Sequence, residues 1–340
     1  MNAAEEDWQI IRFCRQYLQL EHVLDYPAGE VLREEATQAL LYKKLFADKA
    51  TPPRYRLKVL RHLVTHIETS VEDWDLHGIS DDLMSALSDV LAEPVLSDLE
   101  AAQKKCRVVY HQSLLPQTSD ADASITLLES RSVISASGTT GLRTWEASLH
   151  LGQYLCTSPS LITNKRVLEL GAGTGYLAIL CAKYLDAAHV IASDGSDDVI
   201  NNIPDNVFLN KLQDSDKIKP MEVRWGHALV GTEEQAWNGG QKVDVVLGAD
   251  ITYDASVIPS LVVTLEELVA LFPGVVVLIA ATERNHETFQ SFLDVCETQG
   301  FVVTHEEFPV PPRSEQMGPF YNDQTPIHIC QLRYVGKGGS

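Results

Sequence analysis

The chain reads as an α/β protein, a doubly wound sheet of seven strands with an antiparallel last strand, preceded by an all-helical region. Three observations predict this. From residue 166 onward, short apolar runs alternate with helical periodicities, the pattern of strands that need a crossover helix between them. A glycine-rich turn, Gly171-Ala172-Gly173-Thr174-Gly175, joins the first of these runs to the first of the helices. The last apolar run, 327–332, follows Pro326 with no helical pattern before it, so it must pair antiparallel with its predecessor. The expected division is a helical domain over 1–104, assigned to recognition of a substrate or partner, and an α/β domain over 105–336.

Composition narrows the classes open to such a fold. With 45% hydrophobic residues in 340, the chain can bury a sizeable core. Lys+Arg number 27 against 47 Asp+Glu, a formal charge of −20. Like charges repel, so a nucleic-acid backbone or an anionic membrane is a poor partner and a basic protein surface a good one. Six cysteines are scattered without any C-x-x-C pair, which predicts reduced, buried thiols and a cytoplasmic protein. Glu5, Glu6 and Asp7 are wrong for a targeting peptide, and the longest apolar run, 275–281, is too short to span a bilayer.

In order along the chain, Ile10, Ile11, Phe13, Cys14, Tyr17 and Leu18 repeat at helical spacing up to the interruption at Pro27. A second helix carries Val31, Leu32, Ala36, Leu40, Leu41 and Leu45, and Pro52-Pro53 opens a third. That third helix places Leu57, Leu60, Val64 and Ile67 on one face beside Arg54, Arg56, Lys58 and Arg61, a basic cluster best read as a solvated face. His62 and His66 stand one turn apart, but two ligands do not make a structural zinc site, and no metal is expected. Short strands at 107–110 and 125–128 flank a polar loop at 116–124. Gly138 and Gly141 bracket a turn, after which Trp145, Leu149, Leu151 and Leu155 begin a helix that delivers Trp145 and Arg143 over the glycine loop. The sheet strands are expected at 167–171, 189–193, 221–225, 243–248, 275–281, 301–306 and 327–332, with helices at 197–210, 256–272 and 286–299.

The glycine loop carries the first chemical signal. Gly171, Gly173 and Gly175 sit where the backbone must bend and let a ligand approach, since a Cβ obstructs both. A dinucleotide loop reads G-x-G-x-x-G, yet the position of its last glycine holds Tyr176, and Glu169 stands two residues before the first glycine. A carboxylate there suits an ammonium such as that of S-adenosylmethionine and opposes a pyrophosphate. Asp194 ends the second strand, 23 residues after Gly171, where a carboxylate accepts hydrogen bonds from both hydroxyls of a ribose; capping the next helix is its other reading. Asp194-Gly195-Ser196-Asp197-Asp198 is not a calcium loop, because its glycine is misplaced and residue 205 is Asp where Glu is needed. The fourth strand ends in Asp250-Ile251-Thr252-Tyr253, which places Asp250 and Tyr253 in the crevice beyond the strand ends.

Taken together, Val167-Leu168-Glu169-Leu170-Gly171-Ala172-Gly173-Thr174-Gly175, the acid Asp194, Trp225-Gly226 and the D-x-x-Y pattern at Asp250 and Tyr253 resemble the D-x-x-Y group of seven-stranded, Rossmann-like S-adenosylmethionine-dependent protein-lysine methyltransferases. The stretch over 137–151, Gly318-Pro319-Phe320-Tyr321, Thr325-Pro326-Ile327 and the helical N-terminal region are similar to those members that modify elongation factor 2. The resemblance implies S-adenosylmethionine held by Trp145, Glu169, Gly171, Gly173, Asp194, Trp225 and Ala249. It implies that Asp250 and Tyr253 act on the incoming amine and that Phe320 and Tyr321 help enclose a methylated ammonium. It also implies a lysine of translation elongation factor 2 as substrate, carried to trimethyllysine. The expected assembly is a monomer, with no nucleic acid or membrane among its partners. Competing readings are a lysine methyltransferase acting on a different protein, a small-molecule methyltransferase, an adaptor that binds a translation factor and keeps the cofactor only as a structural ligand, and a dehydrogenase, the last opposed by the loop.

Overall fold

The computed structural model describes residues 3–94, 97, 100, 104–116, 122–130, 140–229, 238 and 240–337. Its contacts divide the chain into two compact units, one of residues 1–113, 117–132 and 316–320, the other of 114–116, 133–315 and 321–340. The expected boundary at 104/105 thus differs from the contact grouping, in which residues 105–113 and 122–130 belong with the helical residues. Gly138 and most of the loop expected at 116–124 fall outside the described residues.

The first unit holds α1 (Ala3–Leu18), α2 (Gly29–Leu32), α3 (Glu35–Leu41), a π-helical turn Tyr42–Phe46, α4 (Pro53–Ser70) and α5 (Asp81–Ala92). A two-stranded antiparallel sheet of β1 (Lys105–His111) and β2 (Ser124–Ser130) completes it. Pro53 occupies the first turn of α4, where a missing N–H costs nothing. The single second helix expected from the periodicity is broken into α2, α3 and the π turn, and α5 was not anticipated from its short Asp81-Asp82-Leu83 start. Phe13, Tyr17, Leu32, Leu41, Leu60, Leu63, Ile67 and Leu83 form its buried interior. The two histidines flank Tyr26, His66 stacked at 4.6 Å and His62 tilted at 6.4 Å. Arg56 leaves the expected solvated face: it is buried, donating to the Thr51 carbonyl and pairing with Glu93.

The second unit is the doubly wound sheet. Its helices are α6 (Glu146–Thr157), α7 (Tyr176–Lys183), α8 (Asp197–Leu209), α9 (Ile258–Leu271) and α10 (His286–Thr298). Its strands are β3 (Arg166–Leu170), β4 (His189–Asp194), β5 (Ile218–Glu222), β6 (Val245–Ala249), β7 (Val276–Thr282), β8 (Phe301–His305) and β9 (Ile327–Tyr334). The strand order is β5-β4-β3-β6-β7-β9-β8, with β9 antiparallel to both neighbours and the other pairs parallel. The order reverses at β3 and β6, and there the strand ends open a crevice. Central strands are buried throughout, as near-continuous apolar runs such as Val167-Leu168 and Val245-Val246-Leu247 require. α6 packs on β6, β7 and β9, while α7 and α8 each pack on β4 and β5. Strand β5 lies three residues earlier than expected: Pro220 is tolerated because β5 is an edge strand, and Trp225 leaves the ladder for a turn at Gly226, φ +78°. All six cysteines are buried and free. Among the described residues no helix is long and apolar enough to cross a membrane, and no group of three His, Cys, Asp or Glu residues forms a metal-ligand set.

Candidate active site

A cleft of ≈ 780 Å³ opens at the carboxyl ends of β3, β4 and β6. It is built first by backbone. Gly171, Gly173 and Gly175 all adopt positive φ, +64°, +54° and +80°, which L side chains rarely do. A Cβ at Gly171 would come within 2.6 Å of Ile251 Cγ2, and one at Gly173 within 3.1 Å of the Gly141 carbonyl oxygen, so the loop also needs glycine for close packing. The turn is tied down around its rim. The Ala172 N–H donates to the Ser193 carbonyl at 2.8 Å, the Thr174 and Thr144 hydroxyls meet at 2.7 Å, and Asn206 Nδ2 donates to the Thr174 carbonyl.

Asp194 stands beside this loop. Its Oδ2 accepts from the Gly173 N–H at 3.2 Å and its Oδ1 from the Ser196 N–H at 3.0 Å, so it braces both the loop and the start of α8. Burial raises its carboxyl above the usual range, and backbone hydrogen bonds oppose the rise. The Gly195 N–H donates to it as well, so three backbone amides occupy the carboxylate and about one of its four lone-pair sites remains for a ligand. A Cβ on the neighbouring Gly195 would touch nothing nearer than 3.7 Å, so space remains there. With the faces of Val223, Trp225 and Ile251 beside it, this wall fits the ring, diol and cationic chain of S-adenosylmethionine. Arg143 and Arg224 line the same cleft and supply charge for a carboxylate.

The opposite wall is organised by Asp250. This residue is only 8% exposed and adopts φ +54°, a conformation Asp tolerates better than most residues. Gly248 makes the bend possible, since a Cβ there would lie 2.4 Å from Ile251 Cδ1. The N-cap of α6 is Trp145, which has no side-chain acceptor, so Asp250 supplies one: Oδ2 accepts from the Ala147 N–H at 3.2 Å. Oδ2 also accepts from the Thr282 hydroxyl at 3.0 Å, and Oδ1 from the Thr282 N–H at 2.9 Å. Arg284 adds Nη1 to Oδ1 at 3.4 Å and Nη2 to Oδ2 at 3.5 Å, and its Nη2 also pairs with Glu146. Five donors on a carboxylate with about four lone-pair sites leave it saturated. Asp250 therefore caps α6, whereas α9, with Val257 at its N-cap, has no side-chain cap. Tyr253, three residues later, is 63% exposed at the rim of the cleft.

Of the residues singled out from sequence, Trp145, Gly171, Gly173, Asp194, Trp225, Ala249, Asp250 and Tyr253 all line this cleft. Three do not. Glu169 is buried beneath the loop, where its Oε2 accepts from the Ala178 N–H of α7 at 3.0 Å instead of facing a ligand ammonium. Burial, helped by the charge of Asp194, pushes its carboxyl up to about 8. Phe320 is buried in the first unit, its N–H donating to Gln19 Oε1 and its ring lying 5.2 Å from the Arg12 guanidinium. Tyr321 is buried in the second unit with its hydroxyl 3.0 Å from His150 Nδ1. Both aromatics fill cores and are not available to enclose an ammonium. The sequence reading missed Arg284, Glu146 and Thr282. The one signal for Arg284 and Thr282 was their place at or just past the end of β7, a position from which residues reach the crevice.

Comparison with known proteins agrees with this geometry. A family model described as lysine methyltransferase matches residues 129–299. The protein-lysine N-methyltransferase EFM3 of Chaetomium thermophilum is 62% identical over 97% of this chain and 99% of its own. EFM3 of Saccharomyces cerevisiae is 32% identical over 56% of this chain and 59% of its own, and the human protein-lysine N-methyltransferase EEF2KMT 32% over 68% of each. The chain belongs to the lysine methyltransferase family, whose catalysis depends in general on S-adenosylmethionine.

Proposed function

We propose that this enzyme methylates a lysine of translation elongation factor 2 and carries it to trimethyllysine. In this reading Trp145, Gly171, Gly173, Asp194, Trp225 and Ala249 hold the cofactor, and Asp250 with Tyr253 forms the D-x-x-Y end of the cleft that receives the amine. S-adenosylmethionine supplies a methyl group on a sulfonium sulfur, which leaves as a neutral thioether when the lysine nitrogen attacks. The protein's share is alignment and charge. Asp250, fixed by its donors, acts on the amine through its negative charge and favours the positive charge that grows on nitrogen. Tyr253 offers an aromatic face to an ammonium that loses N–H donors with each methyl added.

The observation that carries this reading is the pairing of a buried Asp250 with an exposed Tyr253 at an open rim, where a side chain of a folded protein can enter. The formal charge of −20 suits a lysine-bearing surface. The specific substrate is supported by the sequence resemblance and by relatives that carry the name EEF2KMT. The helical region over 1–104 is assigned to recognition of that substrate, and the enzyme to the cytoplasm as a monomer. Unmethylated elongation factor 2, incubated with enzyme and S-adenosylmethionine, should gain the mass of three methyl groups on one lysine; an unchanged mass removes this substrate. Tyr253→Ala should lower turnover about tenfold, the worth of a desolvated cation–aromatic contact. Its melting temperature should stay near wild type, because the side chain is exposed.

A further inference from the structure

We propose that Arg284 is a positioning residue that limits how strongly Asp250 holds the target lysine as its unreactive ammonium, by balancing the charge of that carboxylate. The inference rests on the assignment of the amine to the Asp250 end of the cleft.

A lysine attacks only as the free amine, and its ordinary pKa is about 10.4. An unbalanced carboxylate within a few ångströms favours the ammonium and raises that value by roughly 1–3 units. Asp250 alone would therefore hold the substrate in its unreactive form. The structure meets this with one guanidinium on two carboxylates: Arg284 lies across both oxygens of Asp250 at 3.4 and 3.5 Å and pairs with Glu146 on α6. Of these three groups only Asp250 and Arg284 line the cleft, so the guanidinium offsets the carboxylate where the amine enters, while Glu146, outside that lining, holds Arg284 in place.

The surrounding charges fit the same balance. The other ionisable groups lining the cleft are Arg143, Asp194, Arg224 and Tyr253, and Arg224 is itself paired with Glu222. Arg143 and Arg284 lie over the Trp145 ring at 5.3 and 5.2 Å, which fixes both cations against the cleft wall. Glu283, the chain neighbour of Arg284, is engaged by His286 and His328, whose hydrogen bonds hold its carboxyl below the usual range.

In the step itself the lysine ammonium first gives its proton to solvent. The nitrogen lone pair then forms the N–C bond as the C–S bond breaks and its electrons pass to sulfur. Both events feel the charge around Asp250, but only the first changes with pH, and it sets the pH at which turnover rises.

The test measures label from radioactive S-adenosylmethionine, at saturating concentration, entering protein of an extract from cells lacking this enzyme, between about pH 8 and 10.5. Whatever the target is, the extract contains it; label in a band other than elongation factor 2 defeats the proposed substrate and leaves this inference measurable. Arg284→Gln should move the rising limb of the profile up by about one unit, so that, from the ordinary lysine value of about 10.4, a roughly tenfold deficit near pH 8 narrows to about fivefold at pH 10.5. Arg284→Lys should largely restore the wild-type profile, and Glu146→Gln should move the limb down. A deficit in Arg284→Gln that is the same at every pH, or a Glu146→Gln profile with no downward shift, overturns the proposal and leaves Arg284 a structural tie.

Discussion

The two walls of the cleft are built by different means. The wall around the glycine loop is mostly backbone, held by contacts that span at most 32 residues: Asp194 to Ser196 across 2, Glu169 to Ala178 across 9, Asp194 to Gly173 across 21, Thr144 to Thr174 across 30, Asn206 to Thr174 across 32. The Asp250 wall is side chain upon side chain and reaches further: Asp250 to Thr282 across 32 residues, Asp250 to Ala147 across 103, Arg284 to Glu146 across 138. A backbone cradle depends on φ and on the absence of Cβ atoms, so it tolerates change in the side chains around it. A convergent carboxylate depends on every donor, so loss of the acceptor strands several of them at once.

The largest effect should fall on the Asp250 wall. Asp250→Ala leaves the Ala147 and Thr282 amides, the Thr282 hydroxyl and Arg284 without their shared acceptor. Because buried groups are orphaned, unfolding stability should drop by about 3 kcal/mol and turnover by at least about a hundredfold. Thermal unfolding measured beside methyl transfer checks both. Activity lost with stability intact would mean that this wall does not depend on the carboxylate, and the contrast between the walls would fail.

An intermediate effect should come from Asp194→Ala on the other wall. The Gly173 and Ser196 amides it braces are solvent-near and remain partly satisfied, so the fold should hold. Binding of S-adenosylhomocysteine should weaken by about 1.5–3 kcal/mol, the worth of hydrogen bonds to a charged group. Calorimetry reads this directly, and the same titration with NAD should show no heat of binding. An unchanged affinity would reduce Asp194 to a brace for the loop.

The same contrast explains what the sequence made legible. Strand and helix alternation, the glycine turn and the antiparallel β9 are local patterns, and each came through with only small shifts, as where Pro220 and the Gly226 turn moved β5. Gly171, Gly173, Asp194 and Asp250 could be found because strand ends and a glycine turn fix where they go. Arg284 and Glu146 could not, since nothing in their neighbourhoods announces a partner 138 residues away. Phe320 and Tyr321 misled for a related reason: an aromatic pair beside a turn reads the same whether it lines a pocket or, as here, fills two cores. In the helical unit, the apolar spacing of the second helix carried no sign of the break between α2 and α3, and the basic cluster on α4 gave no hint that Arg56 turns inward to Glu93.

The smallest effect, and the one that most sharpens the contrast, belongs to Glu169. Its place before the glycines marks it as a ligand residue, yet its carboxyl is buried under the loop and accepts from the Ala178 N–H. Burial raises that carboxyl from 4.5 to about 8. Between those values the folded protein holds the proton and the unfolded chain releases it, so stability should fall as pH rises, by at most ~1.4 kcal/mol per unit. Below pH 4.5 this penalty is absent, and above about pH 8 it is complete and constant. Glu169→Gln carries no proton to lose, while its carbonyl oxygen can still accept from Ala178. The variant should therefore flatten the decline between pH 5 and 8 and exceed wild type at pH 8 by on the order of 1–3 kcal/mol, as measured by unfolding at each pH. Its affinity for S-adenosylhomocysteine at pH 7 should stay within about twofold of wild type, because a buried, protonated carboxyl offers the ligand no charge. A loss of tenfold or more would show that Glu169 reaches the cofactor after all, and that the backbone wall has a side-chain member.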